Sequence, residues 1–354
     1  MSKIGDMDIF KKILKWIDEG KKAALATVIQ KQGSALRGVG SKMGISSDME
    51  MAGSISGGCV EGAVVQEALH VMKTRQKTVV DYGISDDEAW SVGLACGGQV
   101  KILIQPVGIS NKGGFSFEML KKILELKASD KTFCLITDIS EKTKTDTLII
   151  SEGKMVIPKR KPRWVNNALM EEIKNLERTE TSGIIKNGLT EIFADFSFPK
   201  PRLVIIGAVH IAQSLVKMAR VCGFSTIIID PRKAFASLER FQDADQMEVA
   251  WPTDGLAKIG LNDKDFLLTL SHDDKLDLPA LQMAIDRKLR YIGMLSSQKT
   301  RENRFEKLKI EGYSLDDFKK IHAPVGMDIG ARNPEEIALS ILAEIIAFRY
   351  GKGK

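Results

Sequence analysis

The stretch R-L-V-I-I-G-A-V-H-I-A-Q-S-L-V-K-M-A-R-V-C-G-F-S-T-I-I-I-D, Arg202 to Asp230, changes its hydrophobic period twice. Arg202 to Ile206 is an apolar run of strand length. Gly207 to Ala212 is a turn, Ala212 to Cys222 carries a helical pattern, and Thr226 to Asp230 is a second apolar run, so the stretch predicts a βαβ unit. Further strands are expected at Met247 to Ala250, Phe266 to Leu270 and Tyr291 to Leu295, with helices between them and a short strand ending at His322. That alternation predicts a Rossmann-like, doubly wound parallel sheet. The end of the chain closes it with a helix, for which Asn333 suits the N-cap, Pro334 the first position, and Glu335 and Glu336 the positive end of the dipole.

The turn after Ile206 tests for G-x-G-x-x-G/A. Gly207 fits the first position, Ala212 the third, and Asp230 stands where an acid would bind a ribose. Val209 occupies the second glycine's place beside Ala208, and a β-branched side chain there intrudes on the pyrophosphate, so Rossmann architecture is expected and tight NAD(P) binding is doubtful. Arg232 either accepts a 2′-phosphate or pairs with Asp230.

Upstream, Phe198-Pro199-Lys200-Pro201 reads as a linker, because two prolines in four residues exclude regular structure. It divides the 354 residues into an N-terminal α/β, mixed-sheet domain over 1–197 and the Rossmann-like domain over 198–354. The first domain begins with a helix from Asp8 to Asp18 and a strand from Ala23 to Ile29, and it is strand-rich over about 130–197. A glycine-rich turn, Gly33 to Met43, follows the first strand, and in it Arg37 and Lys42 sit among glycines that allow close approach to an anion. The bland alternative is a hairpin with solvated charges.

Two cysteines in this half are framed by glycines. In G-S-I-S-G-G-C-V-E, Gly53 to Glu61, Cys59 follows Ser56, Gly57 and Gly58 and precedes a helical pattern of Val64, Val65, Ala68, Leu69 and Met72. A helix N-terminus favours a thiolate there. Cys96 precedes Gly97 and Gly98, ahead of a strand from Val100 to Ile104. Cys134 and Cys222 lie in apolar patterns and are expected to fill cores.

The bulk properties exclude several classes. Hydrophobic content of 44% with 28% charged residues is that of a water-soluble globular chain, and no run is long enough to span a membrane. The opening residues lack a signal-peptide pattern, so a cytoplasmic location is expected. A net charge of +6 with interleaved signs gives little support for nucleic-acid binding. Four cysteines in such a chain leave metal binding, catalysis or burial rather than a disulfide framework. Zinc spacings such as H-E-x-x-H and C-x-x-C do not occur. Three of the four histidines, His210, His272 and His322, fall at strand ends on the edge where a doubly wound sheet keeps its site, and His70 reads as structural.

Together G-S-I-S-G-G-C-V-E, G-L-A-C-G-G, I-G-A-V-H-I-A, L-S-H-D and A-P-V-G-M-D-I-G-A-R-N-P-E-E-I-A-L-S-I-L-A-E-I resemble the xanthine dehydrogenase accessory proteins of the XdhC/CoxI type, over nearly the whole chain. The resemblance implies a protein that binds the molybdenum cofactor, protects it during sulfuration and helps insert it into apo xanthine dehydrogenase or a related molybdenum hydroxylase. By the same resemblance Cys59 and Cys96 are the family's cysteines and candidate molybdenum contacts, His210 and His272 with Asp273 are its histidine motifs, and Asp328, Gly330 and Arg332 are its terminal loop. It further implies a cysteine desulfurase as partner and a homodimer. Leu36, Ser271 and Val209 depart from the family pattern, the last putting nucleotide binding in doubt. The rivals are a small NAD(P)-dependent oxidoreductase with His210 or His272 as acid and base, and a nucleotide-sensing regulator with silent cysteines. The chain itself shows no iron–sulfur cysteine set, no flavin motif and too little length for a complete molybdenum hydroxylase.

Overall fold

The computed structural model describes residues 6–33, 37–58, 60–82, 99–108, 114–140, 147–158, 162, 164–188, 190–237 and 239–352. The chain divides into two compact units, Met1–Pro199 and Lys200–Lys354.

In the first unit, α1 (Asp6–Asp18) buries Ile9, Phe10, Ile13 and Trp16 along one side, as the i, i+3, i+4 spacing requires. Strands β1 (Ala23–Gln32), β2 (Lys42–Ser46) and β3 (Met51–Gly53) precede α2 (Glu61–Thr74), and β4 (Thr78–Tyr82) and β5 (Gln99–Val107) complete a sheet ordered β3-β2-β1-β5-β4. Its named pairings are antiparallel. The side chains of α2 that pack are Val64, Val65, Ala68, Val71 and Met72. The β1–β5 register slips between Val28 and Gln30, a bulge at which β1 turns from buried to exposed.

After α3 (Phe117–Ala128), β6 (Phe133–Asp138), β7 (Leu148–Ser151) and β8 (Lys154–Ile157) lead to α4 (Asn167–Arg178), β9 (Gly183–Asn187) and β10 (Thr190–Ser197). These strands form a second antiparallel sheet, β8-β7-β6-β10-β9. Helix α4 is absent from the sequence reading. Its local signals are nevertheless clear: Leu169, Met170, Ile173 and Leu176 recur at helical spacing and pack on the second sheet's core, and Asn166 caps it by accepting a hydrogen bond from the Leu169 N–H at 2.8 Å.

The second unit contains β11 (Arg202–Ile206), α5 (His210–Val221), β12 (Ser225–Ile229), β13 (Gln246–Glu248), α6 (Pro252–Lys258), β14 (Phe266–Thr269), α7 (Asp274–Asp286), β15 (Tyr291–Met294), α8 (Gln298–Ile310), α9 (Leu315–Phe318), β16 (Ile321–His322) and α10 (Pro334–Arg349). Its six strands pair in parallel in the order β13-β12-β11-β14-β15-β16. Two apolar layers cover the two faces of this sheet. One contains Leu215, Ile341 and Ile345 of α5 and α10, the other Leu256, Leu281 and Leu308 of α6, α7 and α8. This is why the strands read as unbroken apolar runs rather than as alternating ones. The strand order reverses at β11, so the turns after β11 and β14 flank the crevice where such sheets bind ligands.

Cys134 is buried as expected, but Cys222 is exposed. It stands at the C-cap of α5, one position beyond the last turn that faces the sheet through Leu215, Val216 and Ala219. No helix among the described residues is long and apolar enough to cross a membrane.

Candidate functional site

The two halves of the motif set fall in different units. In the first unit, the turn before α2 is built around a carboxylate that the sequence reading did not single out. Glu61, the first residue of α2, accepts hydrogen bonds at 2.9 Å from the hydroxyl of Ser54 and from the N–H groups of Ser56, Gly57 and Gly58. The Ser56 hydroxyl also donates to it, and in turn accepts from the Val60 N–H at 3.1 Å. Burial raises the carboxyl's proton affinity, but the bonds from Ser56, Ser54 and the backbone more than reverse this, and its pKa falls to about 2. Glycine is required in this loop: Gly57 and Gly58 have φ of 88° and 123°, where a side chain is strained.

The N–H groups of Ser56, Gly57 and Gly58 converge on an anion, and that anion is the chain's own Glu61. The signal was present in the motif itself, whose final letter is the acid that organises the others. Cys59 lies outside the described residues, but both its neighbours are held by this cluster, Gly58 by Glu61 and Val60 by Ser56.

Cys96, Gly97 and Gly98 also lie outside the described residues. Of the two cations expected near an anion, Arg37 is exposed. Lys42 is turned inward: its Nζ lies 3.0 Å from Asp195 Oδ2 with both side chains 6% exposed, and it also donates to the Gly40 carbonyl at 2.8 Å. The reason is the pleat. Lys42 opens a fully buried strand, and a charge there requires an internal counter-ion.

In the second unit, three motif loops meet at the carboxyl edge of the parallel sheet. Gly207 has φ of 108°, and a Cβ there would lie 2.8 Å from the Ser271 nitrogen, so the turns after β11 and β14 are in backbone contact. Val209 is the N-cap of α5 and offers no side-chain cap, leaving His210 exposed at the first position of the helix. His210 Nε2 is 3.6 Å from Glu335 Oε1 in the first turn of α10. The terminal loop that carries Asp328, Gly330 and Arg332 is thereby brought beside the glycine turn. All three of its residues are exposed or half-exposed. The loop is tied back through Val325 N to Met294 O at 3.1 Å and Gly326 N to Glu344 Oε2 at 3.0 Å.

The S-H-D loop rests on a buried polar network. Ser271 donates to Asp277 Oδ1 at 2.6 Å and accepts from the Asp273 N–H at 3.0 Å. Asp277 and Arg304, both fully buried, form an ion pair at 2.8 Å, and Arg304 Nε donates to Asp274 at 2.8 Å. The Arg304–Asp277 contact is off the N–H direction, so it acts through charge rather than as an aligned hydrogen bond. On this support His272 is exposed with φ of 60°, a conformation that histidine adopts more readily than bulky residues do. His272 stands out in the sequence as a scarce histidine at a strand end, whereas Asp277 and Arg304 are distant in the chain and look like ordinary helix charges.

The dinucleotide question receives a geometric answer at Asp230. Its carboxylate accepts from the Ala208 N–H at 2.8 Å, from the Arg232 N–H and Nε at 2.9 Å each, and from Arg232 Nη2 at 2.7 Å. Burial pushes this carboxyl up, while Arg232 and the two backbone donors bring it below the usual range. The acid and the arginine therefore satisfy one another, and a ribose or 2′-phosphate has to displace an existing partner. His322 does not join the edge cluster. Its ring stacks on Tyr291 at 4.5 Å and its Nδ1 lies 3.0 Å from Glu344 Oε1, which places it in the packed layer under α10. Among the described residues no three of His, Cys, Asp and Glu gather into a metal-binding group.

Comparison with known proteins finds matches in both units. Residues 203–345 match the XdhC Rossmann domain and residues 16–83 match the XdhC and CoxI family. The chain is 28% identical to a probable xanthine dehydrogenase subunit of Bacillus subtilis (strain 168), over 94% of this chain and 95% of that one. It is 26% identical to the molybdenum cofactor insertion chaperone PaoD of Escherichia coli (strain K12), over 93% and 84% of the two chains. A crystal structure described as a xanthine dehydrogenase from Bacillus halodurans has a TM-score of 0.76 at 26% identity, covering 98% of this chain and 96% of that one.

Proposed function

Since the chain belongs to the XdhC and CoxI family, we propose that it is a binding and insertion factor for the molybdenum cofactor. In this reading the cofactor is cargo, delivered to apo xanthine dehydrogenase or a related molybdenum hydroxylase. The observation that carries the reading is the second unit's sheet edge. There the Gly207 turn, the His272 loop and the loop of Asp328, Gly330 and Arg332 present polar groups around the switch-point crevice. Relatives bearing the names of a cofactor insertion chaperone and a xanthine dehydrogenase component support it along most of the chain.

Cys59 and Cys96 hold the molybdenum end of the cargo while its terminal sulfur is installed, a soft donor suiting a soft metal centre. Arg37, exposed in the glycine-rich turn before β2, meets its anionic end. A cysteine desulfurase supplies the sulfur, and two copies of the chain assemble. Turnover by the chain itself is not part of this reading. Neither is NAD(P), because Asp230 and Arg232 are engaged with one another and Val209 stands at the pyrophosphate turn.

The test is anaerobic purification of the parent, Cys59→Ser and Cys96→Ser in the presence of a cofactor source, followed by pterin quantification and activation of an apo-molybdoenzyme. Both variants should melt like the parent and lose most of the bound pterin. If either keeps pterin and still activates the apoenzyme, its thiolate has no such role. A calorimetric NAD(P) dissociation constant at or below about 1 μM would favour the oxidoreductase reading instead.

A further inference from the structure

Within the first unit, a concave region lies over the ends of β1 and β5, away from the Glu61 cluster. One lobe, of about 530 Å³, is lined by Lys31, Lys101 and Lys186 with Ile29, Val39 and Ile184, and includes Glu191. A second, of about 390 Å³, shares Gln30, Lys31 and Lys101 and continues to Tyr82 and Gln99, with Asp81 on its wall. The bulge between Val28 and Gln30 creates the region, because it is there that β1 passes from buried to exposed and aims Gln30 and Lys31 outward.

The charges do not balance inside it. Lys101 lies 3.6 Å from Asp81, whose side chain is 71% exposed; among the described residues Lys186 stands across the β9–β10 ladder from Glu191 without an ion pair, Lys31 has none, and the lining therefore carries one lysine more than it has carboxylates. With three lysines from three strands against Asp81 and Glu191 the wall keeps a net positive charge, and an anion placed there offsets it. The floor differs in character. Ile29 is buried, and Val39 and Ile184 pack with Ile29, Leu103 and Phe193 as an apolar cluster. A cationic rim over an apolar floor suits a molecule with a phosphoryl group and an apolar body.

We infer that this groove is a binding site for an organic phosphate ester, with Lys31, Lys101 and Lys186 on the phosphoryl oxygens and the body of the ester on the half-buried Val39 and Ile184, above the buried Ile29. Recognition here depends on the phosphoryl group and the apolar body, and not on molybdenum or on the cysteine loops.

The test is calorimetric titration of the full chain with phenyl phosphate and with inorganic phosphate. Phenyl phosphate should bind more tightly, and the Lys31→Gln/Lys186→Gln double variant should weaken it by at least about tenfold, the scale of one to two charge-assisted hydrogen bonds. The charge-matched control Lys233→Gln/Lys264→Gln, in the second unit, should leave the affinity unchanged. The four substituted lysines are all exposed, so melting temperatures should match the parent's. Tighter binding of inorganic phosphate, lost in the same double variant, would keep the anion site and overturn the ester as its ligand. No binding of either probe, or binding that the double variant leaves intact, would overturn the site.

Discussion

Replacing Glu61 by glutamine keeps the shape of the side chain and removes its charge, which makes it a sharp probe of the turn before α2. The parent carboxylate receives four bonds at 2.9 Å and a further one from the Ser56 hydroxyl. A glutamine oxygen placed at Oε1 can keep the Ser54, Ser56 and Gly57 donors, but its NH2 then meets the Gly58 N–H, donor to donor. One N–H is orphaned and the others change from charge-assisted to neutral bonds, a loss of about 3 kcal/mol before solvent is considered. The side chain is only partly buried, so water recovers some of this and about 2 kcal/mol should remain.

Because the two units need not unfold in one step, the readout is hydrogen exchange of a peptide spanning residues 53–61. A loss of about 2 kcal/mol should speed exchange of Ser56, Gly57 and Gly58 roughly 30-fold. The pH dependence gives an independent check. A carboxyl whose pKa is lowered from 4.5 to about 2 in the folded chain contributes stability that is fully present above about 4.5 and lost as pH falls toward 2. The gap between parent and variant should therefore be widest at neutral pH and fall by about half near pH 3. Exchange unchanged by the substitution, or a gap equally wide at pH 3, would refute the reading of Glu61 as the turn's resident anion.

Gly207→Ala should destabilise the second unit by about 2–4 kcal/mol, since it combines positive-φ strain with backbone overlap on Ser271, whereas Gly260→Ala, with φ of 61° and open space around its Cβ, should cost only about 1 kcal/mol. Thermal melts of the two variants compare them directly, and equal losses would mean that the β11 and β14 turns do not touch. Arg304→Met should cost about 3–5 kcal/mol by stranding the buried Asp277 carboxylate, and adding Asp277→Leu should recover much of it, as measured by urea denaturation. Cys134→Ser should lower the melting temperature by placing a hydroxyl in the buried strand β6, at a cost of about 1–3 kcal/mol, while pterin binding by the folded fraction stays intact.

The sequence by itself determined the parallel sheet of the second unit. Apolar runs covered on both faces, a glycine turn and intervening amphipathic helices are local signals, and they specify β11 to β16 and the capped helix α10 with few alternatives. It also marked Gly207, His210, His272 and the 328–332 loop, because turn glycines and sparse histidines stand out in a linear reading. What it left open depends on partners far apart in the chain. Whether a cation binds a ligand or a counter-ion is decided by what lies across from it, and Lys42 meets Asp195 only once β2 and β10 have folded. Asp230 and Arg232 are two residues apart, yet their pairing follows from the buried end of β12 and the Ala208 N–H that the turn presents. Helix α4 carries a plain amphipathic pattern and cap, whereas Arg304 lies in a helix of mostly charged residues without apolar periodicity, and nothing local marks it as buried. Glu61 was in plain view in the motif, but only the tertiary turn shows that the N–H groups behind it have already found their anion.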